Sequence, residues 1–329
     1  MADATHALEI IGVGSPMIDR LVTVSDAWLG TITGEKGGMN LVDGATIGGL
    51  VKSLPGVPIA VAGGSAANTT LGLATLGARC TFLGKLGQDG DGELYRGLFR
   101  SAGIDIERFK VSADTPTGQC LCLITPDSER TMRTYLGAAA TLTPEDVQVS
   151  DFAGVRHAHI EGYLLFNREL ARRVLECAHA AGCTISLDLA SFEVVLANRD
   201  VLDDLLDSYI DIVFANEAEA KAYTGKDDPR AALDALARHC DTAAVKIGAE
   251  GAWLRRAGAA THVPAIRAHA IDTTGAGDLW AAGFLYGWLR GRDLATCGRY
   301  GALTGAEVVQ VMGAAIPSDR WTYIKEIIA

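Results

Sequence analysis

The chain has 329 residues, 49% hydrophobic and 21% charged, a balance that fits one large folded unit, with or without a small appendage, and gives no sign of disorder. Its 29 basic and 40 acidic residues leave a net charge of −11 and no basic stripe for a nucleic-acid backbone, so DNA and RNA are not expected as partners. No stretch approaches the roughly 18 apolar residues of a membrane span and no leader pattern opens the chain, so neither a membrane nor a location other than the cytoplasm is expected.

Residues 7–13 (ALEIIGV) form an apolar run ending among Gly12 and Gly14, which predicts a buried first strand. From 18 to 54, short β-favouring pieces alternate with Gly34, Gly37, Gly38, Gly44, Gly48 and Gly49. With no strong amphipathic helix between 31 and 58, this texture predicts a small glycine-jointed β element. Residues 65–76 (SAANTTLGLATL) predict a helix with Ser65 near its N-cap and Gly77 at its stop. A strand at 80–83 and a helix at 92–101, closed by Gly103, come next. Segments 117–125 and 130–136 flank the turn-forming Pro126-Asp-Ser-Glu129 and predict a hairpin of the same β element.

Beyond 155 the pattern is regular, with strands at 157–161, 183–188, 211–214 and 243–247 and helices at 168–181, 217–223 and 230–239. This alternation predicts an α/β fold: a doubly wound, mostly parallel sheet with helices on both faces. Helices at 276–290 and 294–311 end the chain. Ligands of such sheets gather beyond the carboxyl ends of strands, which ranks the loops at 14–19, Glu161, Asn216 and Lys246 as the active edge.

Seven cysteines are scattered among apolar residues without a CxxC pair, and read as small hydrophobes in a reduced interior. On a strand, Cys120 and Cys122 would point to one face, which leaves metal or redox work as the other reading. His157 and His159 share a strand face, but no acid or cysteine nearby completes a metal set, so they read as ordinary buried or surface histidines.

The most informative stretch is Asp272-Thr-Thr-Gly-Ala-Gly-Asp278, followed by the helical run Leu279-Trp-Ala-Ala-Gly-Phe-Leu285. Small residues at a helix start let backbone N–H groups approach a phosphate, and the helix N-terminus adds partial positive charge. An acid in the first turn then stands where a base must stand to deprotonate an attacking hydroxyl. The bland alternative is an acid that merely complements the helix dipole. A second glycine-rich entry, Gly63-Gly64-Ser65-Ala66-Ala67-Asn68, is either a plain turn into a capped helix or a place where backbone and Asn68 meet vicinal hydroxyls. Asp19, just past the first strand, is either a surface acid or a grip on two hydroxyls. Asn216 and Glu219 fit a capping box, and equally oxygen donors near Mg²⁺ and its waters. Lys246-Ile-Gly248-Ala-Glu-Gly251 is a hairpin or a contact for a nucleotide.

Several motifs are absent. There is no GxxxxGK[ST] loop, no HRD or DFG, no HExxH and no GxSxG. Gly12-x-Gly14 lacks the third glycine of a dinucleotide site because position 17 is Met, and Pro16 interrupts the expected helix.

Taken in order, these motifs resemble the ribokinase-like (PfkB) family of carbohydrate and nucleoside kinases from Gly12 to about Pro317. The resemblance implies an ATP-dependent phosphotransferase with an alcohol acceptor. Its large α/β domain would comprise 1–15, 61–111 and 138–329, and a small β lid 16–60 and 112–137. It implies Asp278 as catalytic base, with the amides of Gly275, Ala276 and Gly277 as anion hole. Asp19, Gly63, Gly64, Ser65 and Asn68 would hold the acceptor. ATP would meet Asn216, Lys246, Gly248, Gly251 and Thr273, although Lys246 replaces the small polar residue expected in many sugar kinases of the group. Glu219 would serve Mg²⁺ through water, and Asp272 and Thr274 a K⁺ ion, with the tail around Gly313 and Ala314.

Gly63-Gly64-Ser65, Leu136-Gly-Ala-Ala139 and Glu35-Lys-Gly-Gly-Met-Asn-Leu41 resemble adenosine-kinase members, with Met39, Leu41, Leu136 and Ala138 lining an apolar pocket for a flat base. Glu161 could instead hydrogen-bond a polar sugar of the ribose, fructose or ketogluconate type. The expected partner is thus a nucleoside or a sugar, for a monomer or homodimer. The rival classes are a catalytically inactive ligand-binding regulator on the same fold and, further off, a dehydrogenase.

Overall fold

The apolar runs 10–13, 212–215 and 243–245, in strands Leu8–Val13, Ile212–Asn216 and Thr242–Lys246, are the mark of strands buried on both faces. In the computed structural model, which describes residues 8–127 and 129–328, they lie inside an eight-stranded sheet. Ala7, where the first strand was expected to begin, and Ser128 of the hairpin turn lie outside the described residues.

Across the sheet the strands run Ala259–Val263, Ala252–Arg256, Thr242–Lys246, Ile212–Asn216, Thr184–Asp188, Val155–Glu161, Leu8–Val13 and Cys80–Leu83. The six from Thr242–Lys246 to Cys80–Leu83 are parallel, and the other two pair antiparallel. Side chains alternate between the faces: Val213 and Val245 join one apolar core, Ile212 and Phe214 the other. The doubly wound α/β reading therefore holds. The chain reverses direction across the sheet at Leu8–Val13, so the loops beyond Val13 and Glu161 part there and open a crevice.

A second sheet of five strands has the order Met39–Leu41, Arg130–Tyr135, Gly118–Ile124, Met17–Thr23, Ile59–Gly63. Along Gly118–Ile124, Leu121 and Leu123 enter a third, small core with Val22, Leu29 and Ile47, while Cys120 and Cys122 face the other way. Ile47 belongs to helix Gly44–Ser53, where the glycine texture had argued against any helix. Asp43 caps it by accepting from the Thr46 amide at 2.7 Å, and burial of Ile47 offsets the poor propensity of its three glycines.

Besides the single turn Asp26–Leu29, two longer helices went unread. Phe192–Tyr209 buries Val194, Val195, Leu202, Leu205 and Leu206, and Ser318–Ile328 buries Trp321, Ile324 and Ile328, so the chain ends on three helices rather than two. Among the described residues no helix is long and apolar enough to cross a membrane.

Candidate active site

Helix Ala276–Leu289 starts at the mouth of the crevice, with Gly275 as its N-cap at φ 72°. The amides of Gly275 and Gly277 find no backbone acceptor among the described residues, whereas the Ala276 amide donates to Thr273 O at 3.1 Å. Two of the three expected anion-hole donors are thus available, and the third is spent inside its own turn. A Cβ on Gly277 would lie 3.1 Å from Lys246 Nζ, so the ammonium stands directly over the helix start. Dipole, open amides and lysine converge on one spot suited to a phosphate.

Asp278 sits beside that spot. Ser65 Oγ donates to its Oδ1 at 2.7 Å and Asn68 Nδ2 to its Oδ2 at 2.9 Å. Ser65 is not the N-cap of its helix; Gly64 takes that place at φ 108°, which frees the Ser65 hydroxyl to reach across. Burial pushes the Asp278 carboxyl up to about 7 against the lowering pull of these two donors. The carboxylate remains half-buried on the cleft wall rather than in open solvent.

Behind it, Lys246 Nζ donates to Asp188 Oδ2 at 2.9 Å, both side chains being nearly buried. Although burial opposes it, the Asp188 charge holds the lysine above its ordinary value and so cationic, and Lys246 in turn holds Asp188 low. Asp188 also accepts from the Ala190 amide at 2.9 Å, which supports the left-handed turn at Ala190 (φ 65°). Asn216 and Glu219 form the full capping box: the Glu219 amide donates to Asn216 Oδ1 at 2.9 Å and the Asn216 amide to Glu219 Oε2 at 2.7 Å. Asn216 Nδ2 adds a bond to Glu219 Oε1 at 2.6 Å. Burial, with the nearby Asp188 charge, lifts the Glu219 carboxyl to about 7. Asn216, Glu219, Gly248, Gly251 and Thr273 all line the same cleft, whose volume is about 1620 Å³.

The opposite wall comes from the second sheet. Asp19 on Met17–Thr23 lies against Gly63, where a Cβ would fall 2.2 Å from Asp19 Oδ1, so this position needs glycine for room. Burial raises the Asp19 carboxyl to about 6, with Arg130 pulling the other way. Met39 and Leu136 also line the cleft, and Leu41 is 63% exposed at its rim. Ala138 does not fit its expected role. The 3₁₀ turn Gly137–Thr141 rotates it into the interior, its amide donating to Pro116 O at 2.8 Å, and Ala139 and Ala140 line the cleft in its place.

Glu161 lines the cleft with its carboxylate bonded to two backbone amides. Its Oε1 accepts from the Ser15 amide at 2.8 Å and its Oε2 from the Ala66 amide at 3.2 Å, which ties the loop beyond the first strand to the start of helix Ser65–Thr75. His157 and His159 are buried core residues bonded to Thr184 and Ser186, and burial pushes them down to about 3 and about 4. Asp272 binds the loop to the tail, accepting from the Thr274 amide at 2.9 Å and the Gly313 amide at 2.8 Å. Arg130 of the second sheet reaches across to Asp272 Oδ2 at 3.4 Å and donates to the Thr274 hydroxyl. A guanidinium therefore stands where the resemblance implies a K⁺ ion.

Sequence reasoning missed Asp188 and Arg130. Asp188 ends a strand that had been read, so the rule about strand carboxyl ends could have found it. Arg130 follows a turn and carries no local signal for the site, because the loop residues it meets there, Asp272 and Thr274, lie 142 and 144 residues away.

A family model described as pfkB family carbohydrate kinase matches residues 60–321. The crystal structure of adenosine kinase from Sinorhizobium meliloti aligns with a TM-score of 0.86 at 33% identity, over 98% of this chain and 100% of that one. That of a probable sugar kinase protein from Rhizobium etli CFN 42 gives 0.87 at 33% identity, over 98% and 99%. Aminoimidazole riboside kinase of Salmonella typhimurium is 31% identical over 236 residues, 68% of this chain and 72% of its own length. Fold and matches together define a phosphotransferase with a hydroxyl acceptor. The chain belongs to the pfkB family, ATP-using kinases of sugars and nucleosides that typically work with Mg²⁺.

Proposed function

We propose that this kinase phosphorylates a primary hydroxyl of adenosine or a related nucleoside, with Asp278 as the general base. The observation that carries the chemistry is the side-by-side placement of Asp278 and a phosphate cradle made by open amides and Lys246. Ser65 and Asn68 fix the carboxylate, and a basicity near neutral suits it to take a proton at Oδ1 or Oδ2. The deprotonated acceptor oxygen attacks the γ-phosphorus, the bond from that phosphorus to the ADP oxygen breaks, and the proton stays on Asp278. The Gly275 and Gly277 amides and the Lys246 ammonium hold the phosphoryl oxygens as their charge redistributes. The second sheet acts as the lid: it closes over the acceptor and excludes water, and Asp19 accepts hydrogen bonds from the acceptor's hydroxyls.

Glu219 keeps acceptor capacity beyond its capping bonds and lies in the cleft, so the donor set fits Mg²⁺ held through water, which would neutralise phosphate charge when bound. The donors expected for K⁺ do not fit one in the same way, since Arg130 engages both Asp272 and Thr274; no step is assigned to K⁺.

The nucleoside assignment rests on the apolar wall of Met39, Met132, Leu136 and Ala139, and on the likeness to an adenosine kinase over the full length. A coupled assay of ATP consumption with nucleosides, ribose, fructose and ketogluconate tests it. Adenosine is expected to give the highest kcat/KM. A sugar that is turned over while nucleosides are inert would overturn the acceptor and leave the chemistry intact.

A further inference from the structure

Asp19, Cys120 and Cys122 form a cluster whose two thiols have no part in phosphoryl transfer. Each offers one ligand atom, and these atoms lie within 4.8 Å of one another on adjacent strands of the second sheet. The two sulfurs are 3.7 Å apart. Thiolates bound to zinc at about 2.3 Å in a tetrahedral site stand about 3.8 Å apart, so the pair already spans one edge of such a tetrahedron. We propose that Asp19, Cys120 and Cys122 form a zinc site of two thiolates and one carboxylate, with its fourth position open to the cleft.

The charges support this. Two thiolates, one carboxylate and Zn²⁺ sum to −1, and the Arg130 guanidinium, shared with Asp272, places positive charge beside them with its Nη2 2.9 Å from Cys122 Sγ. The thiol protons leave to solvent as the metal enters, so uptake strengthens with rising pH. Thr134 Oγ1 donates to Cys120 Sγ at 3.3 Å, an outer-shell bond that orients this sulfur. The other five cysteines contribute no comparable group among the described residues. The site uses the carboxylate that the proposed function assigns to the acceptor. On that reading, zinc competes with the acceptor and switches the kinase off.

The test begins with the metal-free full chain and one equivalent of Zn²⁺. X-ray absorption at the zinc edge should show two sulfur scatterers at about 2.3 Å together with oxygen. Competition against a chromophoric chelator should give one tight site per chain. Cys120→Ser/Cys122→Ser should weaken it by more than the roughly 10- to 100-fold that loss of an outer-shell partner costs. Zinc bound through nitrogen and oxygen alone, or full affinity in the double variant, overturns the site. The absorption experiment needs no variant, so a misfolded double mutant does not spoil the test. Neither readout needs turnover. Zinc with two sulfur ligands that left the acceptor KM unchanged would uphold the metal site and overturn instead the placing of the acceptor on Asp19.

Discussion

Asp278 and Asp19 are both carboxylates that burial makes more basic, to about 7 and about 6, yet their supports differ in kind. Asp278 rides the first turn of a helix rooted in one of the two large cores and is held by two side-chain donors. Asp19 lies on a sheet whose own core is a handful of residues, with Arg130 as its opposing charge. The difference teaches a division of labour. On the proposed function, groups that carry charge in the reaction are anchored to the main sheet and its helices, while Asp19, assigned to the acceptor, sits on the smaller element proposed to close.

Three substitutions can break or sharpen this comparison. The largest effect is expected for Asp278→Asn, which should lower kcat by about 10²- to 10⁴-fold with circular dichroism and melting temperature unchanged. Near-normal turnover would remove Asp278 from the chemistry. Lys246→Met should come next, because it leaves the buried Asp188 charge without its partner and costs about 3–5 kcal/mol in denaturant unfolding. Adding Asp188→Asn should restore much of that loss, and no recovery would mean the pair is not the source of the stability. Asp19→Asn belongs to the other region. It should raise the acceptor KM by about 10- to 100-fold, the worth of a hydrogen bond to a charged group, and leave the KM for ATP alone. A matching rise in both constants would erase the division of labour.

Much of the larger region was legible in the sequence because its signals are local. The strands, the helix start at Ala276 and the capping box at Asn216 and Glu219 are written in adjacent residues. The missed features depend on tertiary partners. Helix Gly44–Ser53 is built from poor helix formers and is held by Ile47 on a core no local pattern shows. Ala138 was misplaced because the 3₁₀ turn after Leu136 shifts the phase by which side chains face in or out. Glu161 and Asn68, read as ligand contacts, do line the cleft, but the bonds that hold them, to Ser15 and Ala66 and to Asp278, join residues distant in sequence. Residue type marked these positions as important, but their partners required the fold.

The pH dependence of kcat/KM tests the base most directly. A general base must be unprotonated to act, so the rate should fall about tenfold per pH unit below the carboxyl's value and level off above it. With Asp278 raised to about 7, that acidic limb should lie near neutrality, and Asp278→Asn should remove its share of the limb, leaving only what Glu219 and Asp19 contribute. A limb at the ordinary carboxylate value of about 4, or a profile unchanged in slope and rate by the substitution, would contradict the assignment of Asp278 as the base.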